Sequence, residues 1–125
     1  MKSRWAEHGG KNILYVDLSG FGENVREFDV ELTEAVATIG QKMYEQPLNS
    51  VLVLVDLRNT HMTQTSNHLL TERIKDTKKY VRRTAVVGLT GIRKMFLDYF
   101  SMLATSETGS FEEPESAIKW LLQTI

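Results

Sequence analysis

A chain of 125 residues with 42% hydrophobic side chains and a formal net charge of −1 holds enough apolar material for one buried core, so residues 1–125 are expected to form one domain. The near balance of charge removes any global drive toward nucleic acid, anionic membrane or polycation, and an electrostatic partner has to come from local patches. The absence of cysteine excludes disulfides, thiolate nucleophiles and cysteine-based metal centres, and suits a reducing compartment.

Met1 to His8 carries charges where a secretory signal needs an apolar run, which argues against secretion. The longest wholly apolar run, Val51 to Val55, is far below the roughly 20 residues of a membrane-spanning helix. A soluble cytoplasmic protein without a transmembrane segment is expected.

In chain order, Arg4 to His8 followed by Gly9-Gly10 reads as a short edge strand turning back. Ile13 to Leu18, closed by Ser19-Gly20, is its partner strand. From about Asp29 to Gln46, Leu32, Val36, Ile39 and Met43 recur at spacings of four, three and four, which predicts a one-faced helix that Pro47 stops. Val51 to Leu57 is an apolar run of the kind a strand buried on both faces needs, and belongs in the centre of a sheet.

A second helix is predicted from near Thr65 to Tyr80, with Leu70, Ile74 and Val81 inward and Thr63 or Thr65 as its cap. Thr84 to Leu89 makes a third buried strand, and Thr90-Gly91 leads into an apolar helix from Ile92 to about Leu103. A weak strand ends near Phe111. The last helix begins at Pro114, a residue suited to a first helical position, and buries Ala117, Ile118, Leu121 and Trp120. Alternating strands and helices imply a mostly parallel sheet covered by helices, with the loops after Leu18, Leu57 and Leu89 on the rim where such sheets bind ligands.

Three stretches together resemble the SpoIIAA-like branch of the STAS fold: Ser50-Val-Leu-Val-Leu-Val-Asp56, Ala85-Val-Val-Gly-Leu-Thr-Gly91, and Phe111 followed by Ala117-Ile-Lys-Trp-Leu121. The resemblance runs over essentially the whole chain. It implies an α/β fold with a sheet of four or five strands, used for protein regulation, small anionic or lipid ligands, or dimerisation, and it does not imply an enzyme. Anti-sigma-factor antagonists of this fold carry a phosphorylatable serine at the start of the second helix, in an Asp-Ser-Ser-Gly type of motif. The matching region here is Thr63-Gln-Thr-Ser-Asn67. Ser66, or failing that Thr65, would inherit the role, but the acidic residue and the glycine are absent, and a helix-capping role for these hydroxyls is favoured.

Among catalytic constellations the strongest is the pair Asp17 and Asp56, each near the end of a strand, with Thr90 after the next. A receiver-type phosphoacceptor site also needs an adjacent acidic pair and a lysine. Ser19-Gly20 follows the first strand instead, and Glu107 and Glu112 stand in the last strand region, so carboxylates capping turns are the preferred reading. There is no Gly-x-Ser-x-Gly elbow, and His8, His61 and His68 have no metal-ligand spacing. No catalytic residue, metal or cofactor is therefore assigned.

Arg73, Lys75, Lys78, Lys79, Arg82 and Arg83 put six bases in eleven residues. A solvated helix face is preferred over specific nucleic-acid binding, since Tyr80 is the sole interleaved aromatic. Gly88, Thr90 and Gly91, with Arg93 and Lys94 one turn on, form a candidate anion seat at a strand-to-helix junction, although two glycines there can equally serve a tight turn or close packing.

The helix from Ile92 to Leu103 carries apolar residues on more than one face. Phe96, Tyr99, Phe100 and Leu103 share one side and are the candidate interface of a homodimer. The expected function is a non-catalytic regulatory or binding module that acts through protein contacts, with room for a small anionic ligand. The alternatives are a carrier or sensor of an apolar or lipid molecule, prompted by the Met- and Phe-rich helix, and a phosphoacceptor-type regulator.

Overall fold

The computed structural model of the chain describes residues 3–60, 64–88 and 107–123. In chain order these form β1 (Ser3–His8), β2 (Lys11–Asp17), α1 (Val25–Tyr44), β3 (Val51–Asp56), α2 (Gln64–Thr77), β4 (Val81–Val87), β5 (Glu107–Phe111) and α3 (Pro114–Leu122). The strands make one five-stranded sheet in the order β1-β2-β3-β4-β5. β1 runs antiparallel to β2, and the other three pairings are parallel. The mostly parallel α/β sheet expected from the sequence is therefore present.

Side chains alternate across a strand, and β3 shows what this does to the core. Its six residues are all buried. Val51, Val53 and Val55 join Phe28, Leu32, Ala35, Val36, Ile39 and Met43 of α1 in one core layer, while Leu52 and Leu54 join Ile13, Ala85, Val87 and the α3 residues Ala117 and Leu121 in the other. A strand with an apolar layer on both sides has no solvated face, which is why it lacks a polar alternation.

The helix boundaries differ from the periodic pattern for local reasons. α1 begins at Val25, four residues before the expected Asp29, because the Asn24 side chain accepts a hydrogen bond from the Glu27 backbone N–H at 3.2 Å and caps the first turn. α3 begins at Pro114 as expected. α2 ends at Thr77 and not at Tyr80, because the Tyr80 carbonyl turns to accept from the N–H groups of Ser50 and Val51 at the start of β3.

That turn corrects two expectations. Val81 opens β4, opposite Val51, and owes its burial to the sheet. The basic stretch is not one helix face, because Arg82 and Arg83 lie on β4. Arg83 donates to the Trp120 carbonyl at 2.9 Å and stands 4.5 Å over the Trp120 ring. The apolar segment Ile92–Leu103 and the cap position Thr63 lie outside the described residues. Among those described, no helix is long and apolar enough to cross a membrane.

Candidate functional site at the strand ends

Parallel register brings the last residues of β2, β3, β4 and β5 to one rim, where Asp17 stands beside Asp56, Asp56 beside Val87, and Val87 beside Phe111. The loops beyond are sewn together by backbone bonds. The N–H groups of Leu18, Gly20 and Gly22 donate to the carbonyls of Asp56, Arg58 and Asn59 at 2.9, 2.9 and 2.6 Å. Thr60, itself buried, donates its hydroxyl to the Leu18 carbonyl at 2.7 Å and accepts from the Phe21 N–H at 3.3 Å.

Asp56 lies on the α3 side of the sheet with only 1% of its surface exposed. A carboxylate so enclosed has to be matched by donors. Arg58, two residues on, supplies three: its backbone N–H and Nε reach Oδ1 at 3.1 Å each, and Nη2 reaches Oδ2 at 2.9 Å. Tyr15 on β2 adds its phenol to Oδ2 at 3.1 Å. The Tyr15 phenol is pushed up to about 12, first by burial and then by the negative charge and hydrogen bond of Asp56. The bond to Asp56 also raises the pKa of the Arg58 guanidinium, so it stays cationic. Arg4 on β1 stands 4.6 Å over the Tyr15 ring, and the outer end of Arg58 reaches Glu113 at 3.5 Å.

Asp17 is engaged locally, its Oδ1 accepting from the Ser19 N–H at 3.1 Å and the Ser19 hydroxyl at 2.6 Å. Both carboxylates therefore fasten the turns behind their strands. The phenol is locked in its protonated form through the physiological range, and the Asp56 oxygens face donors already in place. This arrangement fastens the loops that follow β2 and β3.

Of the remaining expected residues, Gly88 and Ser66 are described. Gly88 follows β4, and its N–H donates to the Phe111 carbonyl at 2.9 Å, which extends the β4–β5 ladder by one bond. Its φ is 88°, and a Cβ there would stand 2.8 Å from the backbone of Arg58. Close packing at a positive-φ turn is its role. Thr90, Gly91, Arg93 and Lys94 lie outside the described residues, as do Phe96, Tyr99, Phe100 and Leu103. Ser66, the third residue of α2, has no exposed surface, so a kinase would have to open the helix start to reach it. Among the described residues no group of three His, Asp or Glu side chains could hold a metal ion.

Sequence reasoning did not single out Tyr15, Arg58 or Thr60. Tyr15 and Asp56 are 41 residues apart, and only the register of β2 on β3 joins them. The Asp56-x-Arg58 spacing is a signal in the sequence that could have found the Arg58 part of the cluster.

No family model matches the sequence, and no curated protein matches it. Among solved structures, the chain is similar to an uncharacterized protein of the DUF3478 family with a SpoIIAA-like fold from Shewanella loihica PV-4. The TM-score is 0.72 over 95% of this chain and 91% of that one, at 12% identity. An identity that low compares architecture and not function. The fold of this chain is SpoIIAA-like, as the three sequence stretches implied.

Proposed function

We propose that the chain is a non-catalytic regulatory or binding module of the cytoplasm that acts through protein–protein contacts, with a second copy of itself as the first partner. The observation that carries the reading is the state of Asp56, buried to 1% and bound by Arg58 and Tyr15 on a rim where ligand chemistry in open α/β sheets is usually done. Groups spent on fixing loops make a rigid platform, and a rigid platform suits recognition better than reaction. A chain without cysteine suits the reducing cytoplasm.

The proposed contact surface is the segment Ile92–Leu103, where the sequence spacing of Phe96, Tyr99, Phe100 and Leu103 is that of one side of a helix and includes aromatic residues of the kind that dominate interface energetics. A small anion held near Thr90–Lys94 belongs to the same proposal. Light scattering at tens of micromolar tests it. A dimer that becomes a folded monomer in Phe96→Glu or Phe100→Glu is the expected result. A monomeric unmodified protein, or a monomer that carries a co-purified apolar molecule in native mass spectrometry, would contradict it.

A further inference from the structure

At the end of the sheet opposite Asp56, the α1–β3 connection meets the α2–β4 turn, and backbone bonds fix the two together. The Asn49 N–H donates to the Lys79 carbonyl at 2.8 Å, and the N–H groups of Ser50 and Val51 donate to the Tyr80 carbonyl at 3.0 and 2.9 Å. On this frame the Tyr44 and Tyr80 rings meet edge to face with centroids 5.8 Å apart, and the Lys79 ammonium stands 5.4 Å from the Tyr80 centroid. Tyr80 packs against the core layer of α1, whereas Tyr44 is 53% exposed and Leu48 is 65% exposed. Two of the four large hydrophobic side chains exposed among the described residues therefore flank one turn. Lys78 and Lys79 stand exposed on that turn. Lys75 and Arg73, further back on α2, lie 3.5 Å from Glu72 and 4.0 Å from Asp76, but neither Lys78 nor Lys79 forms an ion pair among the described residues.

We infer that this corner is a docking surface for an acidic segment of another protein, with an apolar side chain of the segment against Tyr44 and Leu48 and its carboxylates facing Lys78 and Lys79. Clustered apolar side chains rimmed by charge mark contact sites, whereas single exposed ones do not, and tyrosine is enriched among the residues that carry binding energy. Two lysines without an acid partner set the sign of the occupant. The backbone bonds at Asn49, Ser50 and Tyr80 hold the surface in shape before a partner arrives, which lowers the ordering cost of binding. Glu45, Glu72 and Asp76 are exposed toward the C-terminal ends of the same two helices, and they would meet an anionic membrane or a nucleic-acid backbone with like charge. A peptide segment can set its carboxylates against the two lysines alone. The surface shares no residue with Ile92–Leu103, so it stands or fails separately from the contact proposed above.

The test is selection of phage-displayed random peptides on the full chain, followed by titration of the enriched peptides in fluorescence anisotropy. These peptides are expected to carry an excess of Asp and Glu around a leucine or an aromatic residue. They should bind about tenfold or more weakly to Leu48→Asp and to the double variant Lys78→Glu/Lys79→Glu. Both variants change exposed positions and should keep the circular dichroism spectrum of the unmodified chain; if Leu48→Asp does not, the lysine variant decides the matter. No enrichment, enriched peptides without an acidic excess, or unchanged affinity in the folded lysine variant would overturn the inference. Displacement of the peptides by phosphatidylserine vesicles or single-stranded DNA would overturn it in favour of a general polyanion surface. A lower molar mass of the chain's own assembly in folded Leu48→Asp would overturn it in favour of a second copy.

Discussion

Replacing Arg58 by alanine tests how the rim is held, because it removes the partner of a buried charge and leaves the charge. In Arg58→Ala the Asp56 carboxylate, 1% exposed, loses Nε at 3.1 Å and Nη2 at 2.9 Å and keeps the backbone N–H and the Tyr15 phenol. Removing one partner of a fully buried pair costs about 3–5 kcal/mol. The Arg58 side chain is 39% exposed, so water can enter the space it leaves, and two donors remain. A loss of about 2–3 kcal/mol is therefore expected. For a chain of this length, that is a fall in melting temperature of roughly 6–15 °C.

The sign of a second substitution is the sharper test. Asp56→Asn placed in the Arg58→Ala background removes the unmatched charge, and the double variant should be more stable than Arg58→Ala alone. Urea unfolding followed by circular dichroism, with a common slope for the three proteins, measures both quantities. A loss below about 1 kcal/mol in Arg58→Ala, or a double variant less stable than the single one, would refute the idea that Arg58 stabilises by matching a buried carboxylate.

Tyr15 gives a prediction in pH. Its folded-state value of about 12 lies above its ordinary 10.0, so the contribution is fully present below pH 10 and is lost as pH rises through the window from 10 toward 12. Stability should fall there in the unmodified protein and fall less in Tyr15→Phe, and an equal decline in both would contradict this. Gly88→Ala combines a positive φ with a Cβ 2.8 Å from the Arg58 backbone, and should cost about 3 kcal/mol in urea unfolding. Gly40→Ala, whose Cβ would meet only the movable end of Arg73, should change stability by less than about 1 kcal/mol. Leu54→Ala, fully buried between strands and α3, should cost about 3 kcal/mol.

The parts of the fold legible in the sequence were those where a strand or helix carries its own pattern. Val51–Val55 is apolar throughout because both its faces are core, and Leu32, Val36, Ile39 and Met43 mark the buried side of α1. Boundaries set by one side chain or by tertiary bonds were not legible, as Asn24 at the start of α1 and the Tyr80 carbonyl at the end of α2 show. The rim was legible by halves. Asp17 and Asp56 read correctly as carboxylates fastening turns, since an aspartate two residues before a turn N–H can bond to it. Tyr15 was not, since a phenol in an apolar strand reads as core until the register places Asp56 beside it. Gly88 was ambiguous for the same reason, because the Arg58 backbone that excludes a side chain there comes from 30 residues earlier in the chain.

The claim that this rim is built for holding loops and not for chemistry is tested most directly by the intact mass of the protein after incubation with acetyl phosphate and magnesium. An accessible strand-end aspartate would be open to phosphorylation there. With Asp56 enclosed and bound by Arg58 and Tyr15, and Asp17 bound by Ser19, the mass should remain that of the unmodified chain. A phosphoryl adduct mapped to Asp56 would contradict the account.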